Sequence, residues 1–216
     1  MKKKVKLVTD FPIAYESPDH LVPTGTKNDN NTNAGYIVEV EKLFDNKKIN
    51  VMDLGCAGGQ LIVDFANRGH TAVGVEGSDY DIKHKLHNWP SYHNDVLFTA
   101  DLTKPYKVVD EDGNRIKFDL ISSWEVIEHI AWADLPKFFD NMFDNMKDDG
   151  VFVGSINTGP DVRENEQGGL TYLHQSAFPE EFWKKYILNE YHVEQYPFKN
   201  RVRDMQEFFL LLMRKK

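Results

Sequence analysis

The chain lacks most of the features that place a protein quickly. Of its 216 residues only Cys56 is a cysteine, so a disulfide framework and a multi-cysteine zinc site are both excluded. The longest apolar run, Phe208 to Met213, has six residues, far short of the ~20 that cross a bilayer. The start, Met1-Lys-Lys-Lys-Val-Lys6, is basic, but no apolar stretch of about 7–15 residues follows it, so no signal peptide is expected. These absences lead to an expected cytoplasmic location and no membrane partner.

Positive charge is also scarce. Lys and Arg total 26 against 34 Asp and Glu, a net charge of −8. Such a chain is a poor general binder of nucleic-acid backbone, so duplex nucleic acid is not an expected partner. The basic ends (Lys2, Lys3, Lys4, Lys6, then Arg214, Lys215, Lys216) read as solvated tails. No His-x-x-x-His and no Asp-rich cluster is present, so no metal is expected, although His129, His174 and a distant acid would suit one if the fold joined them. There is no internal repeat.

What is present is a soluble globular composition, 41% hydrophobic and 28% charged. The expected organisation is one domain over residues 35–216 with an extension or lid at 1–34. The extension reads as irregular, interrupted by Pro12, Pro18, Pro23 and Gly25. A helix is expected from Asn33, with Tyr36, Ile37, Val40, Leu43 and Phe44 on one face. Strands are then expected at Ile49–Leu54, Thr71–Glu76, Val96–Ala100, Phe118–Ser123 and Val151–Ile156, and helices at Gln60–Asn67, Asp81–His87 and Leu135–Met146. In the last of these, Leu135, Phe138, Phe139, Met142, Phe143 and Met146 keep one helical face, with Asp134 as N-cap. Asp112-Gly-Asn114 signals a hairpin turn. Residues 157–177 read as a long loop, followed by a helix at Pro179–Leu188 and strands at Glu190–Tyr196 and Gln206–Met213. The alternation predicts an α/β Rossmann-like fold: a doubly wound, mostly parallel, seven-stranded sheet with helices on both faces and an antiparallel edge strand. Ligands of such folds sit at the carboxyl ends of the strands.

The run Asp53-Leu-Gly-Cys-Ala-Gly-Gly59 is a strand feeding a glycine turn and then a helix. A phosphate-gripping loop would need Gly-Lys-Ser/Thr here, and none is present. A dinucleotide loop would need Gly-x-Gly-x-x-Gly, but its second and third glycine positions hold Ala57 and Gln60. Asp53 at the strand end would also repel phosphate. A sulfonium carrying an ammonium suits it better.

The run resembles the first motif of class I S-adenosylmethionine-dependent methyltransferases, with Ala57 in place of the usual middle glycine. Further positions agree in order: Glu76, 23 residues after Asp53; Asp101 in Thr99-Ala-Asp-Leu102; the stretch Phe118-Asp-Leu-Ile-Ser-Ser-Trp-Glu-Val-Ile-Glu-His-Ile130; and Asn145-Met-Lys-Asp-Asp-Gly-Val-Phe-Val153. The resemblance implies S-adenosyl-L-methionine as cofactor, with S-adenosyl-L-homocysteine as product. It implies cofactor contacts from Asp53, Gly55, Cys56, Ala57, Gly59, Glu76, Gly77, Ser78, Asp101, Leu102 and Trp124. Glu76 would take the ribose hydroxyls and Asp101 the adenine amino group. Cys56 is read as a small buried apolar residue rather than a nucleophile.

A hydroxyl acceptor needs a base, and histidine is the usual choice. His129 and His174 are the candidates, with Glu125, Tyr172 and Gln175 as acceptor contacts; His129 is equally read as a site-lining residue. Tyr15, His20, Gly25, Thr26 and Asn30 of the extension are expected either to fold over the strand ends or to pack on the back. The pattern also resembles small methyltransferases from bacterial and large-virus glycan-modifying gene sets, which implies O-methylation of a sugar hydroxyl and, for a viral chain, the host cytoplasm. Tyr172, Phe178, Phe182, Trp183 and Tyr186 would then stack on sugars, though helical spacing favours the core for the last three. Alternatives are another small molecule such as a phenol, and a non-catalytic cofactor-binding partner. A nucleic-acid acceptor would favour a proline-rich element where Ser122-Ser-Trp-Glu125 stands.

Overall fold

The computed structural model describes residues 4–164, 168–186, 189, 192–194, 196–202 and 208–214. In chain order the elements are β1 (Val5–Thr9), α1 (Pro18–Leu21), α2 (Thr24–Asn28), α3 (Ala34–Leu43), β2 (Asn50–Leu54), α4 (Gln60–Asn67) and β3 (Thr71–Glu76). There follow α5 (Tyr80–His84), α6 (Trp89–Tyr92), β4 (Leu97–Thr99), β5 (Tyr106–Asp110), β6 (Arg115–Ile116) and β7 (Phe118–Trp124). The chain closes with α7 (Leu135–Asn145), β8 (Met146–Asn157), β9 (Val162–Glu164), β10 (Leu170–Tyr172), α8 (Glu180–Tyr186), β11 (His192–Glu194) and β12 (Phe208–Arg214).

Seven strands form the main sheet in the order β11-β12-β8-β7-β2-β3-β4. From β8 to β4 every neighbouring pair is parallel. The antiparallel strand is β12, one in from the edge, and β11 pairs antiparallel to it. Within this sheet the chain enters at β2, winds outward to β3 and β4, then returns to β7 and β8. The order therefore reverses between β2 and β7, where such sheets bind ligands.

Alternation along β2 splits the core in two. Val51 packs with Tyr36, Ile37 and Val40 of α3 and with Leu61, Ile62 and Phe65 of α4. Met52 and Leu54 pack on the other face with Leu135, Phe138, Phe139 and Met142 of α7 and with Trp183 of α8. Helices thus cover both faces, as the alternating sequence predicts.

Several local expectations are corrected. Residues 1–32 are not irregular throughout. Val5 and Leu7 face the core, and β1 pairs antiparallel with β5 in a small β1-β5-β6 sheet. The period-2 pattern is there in the sequence, but the lysines and prolines around it mask it. The β5–β6 hairpin turns where Asp112-Gly-Asn114 predicts, with Asp110 Oδ1 accepting from the Asn114 and Asp112 N–H groups at 2.8 and 3.0 Å. Asp134 does not cap α7; it pairs with Lys137 at 2.7 Å instead. Residues 157–177 contain an antiparallel β9–β10 hairpin rather than a plain loop. The short α6 was not expected. The ends of the expected elements at Ile187, Leu188, Glu190, Tyr191, Gln195, Gln206 and Glu207, and the basic tail residues Lys2, Lys3, Lys215 and Lys216, lie outside the described residues.

Candidate active site

A cleft of about 1210 Å³ opens at the carboxyl ends of β2, β3 and β7. Its floor is the turn after β2. Gly55 has φ +73, and a Cβ there would lie 2.2 Å from Val126 Cγ2, so only glycine fits. Ala57 adopts φ 44, rare for a residue with a side chain, and is held by two contacts. Its N–H donates to Glu76 Oε2 at 2.9 Å, and its carbonyl accepts from Trp89 Nε1 at 2.7 Å.

Glu76 is buried at the end of β3. Its other oxygen, Oε1, accepts from the Gly77 and Ser78 N–H groups at 3.0 and 3.2 Å and from Thr26 Oγ1 at 3.4 Å. Burial nevertheless pushes its pKa up to about 7, against these hydrogen bonds. Asp53 is buried beside it and accepts from Ser122 Oγ at 2.6 Å. Burial pushes Asp53 to about 7 as well, with the Glu76 charge adding to the shift. Two adjacent buried carboxyls raised in this way favour a cationic ligand, which fits a sulfonium bearing an ammonium. Burial also raises the Cys56 thiol, in keeping with an inert side chain.

The other end of the cleft lies past β7. Glu125 sits at φ 57, and its N–H donates to Ser155 Oγ at 3.2 Å. A 3₁₀ turn at Ile127–His129 then presents His129, whose Nδ1 is 2.8 Å from Asp19 Oδ2. The His174 ring stands edge-on to it, with centroids 4.6 Å apart. The two rings are pushed in opposite directions. Burial lowers His129, but Asp19, Glu128 and Asp161 outweigh it and hold its pKa above the ordinary value. Burial and the neighbouring His129 lower His174, against the Gly159 carbonyl that its Nδ1 meets at 2.5 Å.

Most residues singled out from the sequence meet here. Asp53, Gly55, Cys56, Ala57, Glu76, Gly77, Ser78, Asp101, Leu102, Trp124, Glu125, His129, His174 and Gln175 line the cleft. Asp101 spends Oδ1 on the Thr103 N–H and hydroxyl, at 2.9 and 2.7 Å. Gly59 and Tyr172 are not among the lining residues. Gly59 sits at φ +82 as the N-cap of α4, and Tyr172 is exposed on β10 with its carbonyl accepting from Gln175 Nε2. Trp183 is core, and Phe178 and Phe182 stack near Trp132 away from the cleft lining. The Tyr186 side chain lies outside the described residues.

Sequence reasoning missed Asp19 and the burial of Glu128, and named Asn30 only as part of the extension without its partner. Asp19 comes from α1 and reaches His129. Asn30 Oδ1 accepts from the Gln60 N–H at 3.0 Å and from Asn88 Nδ2 at 3.2 Å, satisfying the start of α4 from outside the helix. Glu128, within the Phe118–Ile130 stretch, is fully buried, with burial pushing its pKa to about 7. Asp19 and Asn30 sit in no local motif, and Glu128, though inside the Phe118–Ile130 stretch, carries no local signal of its burial.

Comparison with known proteins gives the family and agrees with the fold. The family model described as a methyltransferase domain matches residues 31–193, and the chain belongs to that family. A ubiquinone biosynthesis O-methyltransferase of Bartonella tribocorum is 34% identical over 116 residues, covering 53% of this chain and 43% of that protein. The chain thus spans less than half of that relative's length. Among solved structures, an S-adenosylmethionine-dependent methyltransferase from Clostridium acetobutylicum superposes with TM-score 0.59 at 16% identity, over 91% of this chain and 95% of that one. The glycopeptide N-methyltransferase MtfA in complex with S-adenosyl-L-methionine gives TM-score 0.53 at 14% identity, over 84% and 93%. The chain thus carries a methyltransferase domain.

Proposed function

We propose that the chain O-methylates a hydroxyl of a small polar acceptor, a sugar hydroxyl of a glycan or nucleotide-sugar. The observation that carries this reading is the polar wall at the acceptor end: Asp19, His129, Asn157, Asp161, His174 and Gln175 face the cleft together. Such a wall suits a substrate rich in hydroxyls.

S-adenosylmethionine supplies a methyl group already activated on a sulfonium. Asp53 and Glu76 would hold it by charge and hydrogen bonding, the Gly55–Ala57 turn by close backbone approach, and Asp101, Leu102 and Trp124 by lining its far end. A ribose at Glu76 would compete with Thr26, whose 3.4 Å contact is the longest that Glu76 makes. The chain's own chemical task is to align the acceptor oxygen and take its proton. His129 and His174 stand where that proton would go, with Asp19 orienting His129. An imidazole would take the O–H proton, and S-adenosylmethionine, when bound, would supply the methyl group that the oxygen pair receives, its sulfur leaving with the pair of the broken bond.

Residues 11–31 act in this reading as a lid that excludes water. Four contacts support it: the Ala14 N–H to the Gly77 carbonyl and the Asp101 N–H to the Phe11 carbonyl, both at 2.9 Å, the Gly58 N–H to the Asp29 carbonyl, also at 2.9 Å, and Asp19 on His129. A second reading, methylation of a phenol, is favoured by the name and 34% identity of the ubiquinone relative.

The test is transfer of labelled methyl from S-adenosylmethionine to a panel of nucleotide-sugars, glycosides and catechols. Labelling of sugars over catechols supports the proposal. Labelling of catechols alone replaces it with the second reading.

A further inference from the structure

Beneath the two imidazoles lies a group that methyl transfer from a sulfonium does not call for. Glu128 has no solvent exposure; its Oε1 accepts from the Asn157 N–H at 3.1 Å, and its Oε2 has no hydrogen-bond partner among the described residues. A carboxylate oxygen of Glu128 and one ring nitrogen each from His129 and His174 lie within 4.8 Å of one another. A buried carboxylate oxygen left bare costs free energy unless something positive meets it.

The surroundings of the rings point the same way. His174 Nδ1 meets the Gly159 carbonyl, and His129 Nδ1 sits 2.8 Å from Asp19 Oδ2. The His174 ring, with Nδ1 on a carbonyl, keeps its proton there and offers Nε2 as a lone pair, whereas His129 Nδ1 stands at ion-pair distance from Asp19 without a formed hydrogen bond among the described residues. Metal-ligating histidines are usually held in this way by a carbonyl or a carboxylate.

We infer that Glu128, His129 and His174 form a site for one divalent transition-metal ion. Two imidazoles and one carboxylate suit zinc, cobalt or iron rather than magnesium or calcium, which prefer all-oxygen shells. Three protein ligands leave a position open, and His129 and His174 line the cleft, so that position faces the acceptor. The inference goes beyond the base reading. In the loaded protein the imidazoles are ligands, and the ion, not a ring nitrogen, eases loss of the acceptor's proton to solvent.

The experiment strips the full chain with a chelator, titrates it with Co²⁺, and reads visible d–d absorption and calorimetric stoichiometry. The expected result is one cobalt per chain, displaced by Zn²⁺. Affinity should fall about tenfold or more in Glu128→Gln and in His174→Ala. S-adenosylhomocysteine binding by each variant checks that the cofactor end has folded. Should Glu128→Gln fail that check, His174→Ala, at a half-buried position, carries the comparison. Absence of a d–d band in the wild type, or unchanged cobalt affinity in the folded variants, overturns the inference. A stripped protein that binds no cobalt and methylates at full rate does the same, while leaving the base reading in place. Cobalt binding as expected, with no transfer to any acceptor, supports the site and removes the acceptor reading.

Discussion

Each end of the cleft is built around a buried glutamate whose pKa is pushed to about 7, and the two differ in what meets the carboxylate. Glu76 receives three backbone N–H groups and a threonine hydroxyl. Among the described residues, Glu128 receives one N–H on one oxygen and nothing on the other. The first is satisfied almost wholly by its own turn and the turn after β2. The second needs partners from distant segments or from a bound species. A rigid, locally satisfied end suits a ligand that stays the same from turnover to turnover, whereas an unsatisfied end suits the variable partner.

The sharpest way to separate the two ends is to truncate the histidines. His129→Ala and His174→Ala should each lower turnover by about 10²–10⁴-fold while leaving S-adenosylhomocysteine affinity nearly unchanged, as read by steady-state kinetics beside calorimetry. Equal losses in rate and cofactor affinity would erase the distinction.

Truncation of Glu76 should do the reverse. Glu76→Ala leaves the Ala57, Gly77 and Ser78 N–H groups without their acceptor. A loss of about 2 kcal/mol in cofactor affinity, roughly thirtyfold, is expected together with a lower urea midpoint. Both are measurable on the purified chain.

The pH dependence follows from the sign of the shifts. Asp53 and Glu76 are raised to about 7 in the empty fold, so below that pH they are largely protonated and meet a cation poorly. Affinity for S-adenosylmethionine should rise as pH climbs from about 6 to 8 and then level off, by at most about tenfold per unit for each group. Calorimetry in two buffers of different ionisation enthalpy should detect protons released on binding below pH 7. Flat affinity across that range would mean that neither carboxyl meets the cationic part of the cofactor.

The smallest effect concerns the extension. Thr26→Val removes one long hydrogen bond to Glu76 and should change cofactor affinity by about threefold or less. A larger change would make the extension a principal part of the cofactor end rather than an accessory to it.

The same contrast explains what the sequence disclosed. The end proposed to hold the cofactor was legible because it is local. Asp53, Gly55, Ala57 and Glu76 sit at the ends of strands whose apolar alternation and glycine stops are written in consecutive residues. Thr71–Glu76 and Gln60–Asn67 begin and end where their patterns predict. The acceptor end was only half legible. His129 and His174 were visible as chemistry, but 45 positions separate them, and no periodicity states that their rings touch. Glu128 stands three positions after Glu125, and burial of a single residue in a 3₁₀ turn leaves no repeat to read. Asp19 and Asn30 lay in a stretch whose prolines suppress any period. Their roles come from where β1 and α3 anchor the segment, which is a property of the assembled sheet.

The small β1-β5-β6 sheet has one consequence of its own. Because β1 is stitched to β5 over Val5–Thr9 and the chain re-enters the domain at α3, residues 10–33 form a strap tied at both ends, not a loose tail. A doubly tethered segment samples few positions, so its end-closure entropy is spent on folding rather than at each encounter with ligand. Asp19 and Thr26 are therefore presented to the cleft at a high effective concentration. Cutting the chain between β1 and α1 would dilute them without removing a single contact residue.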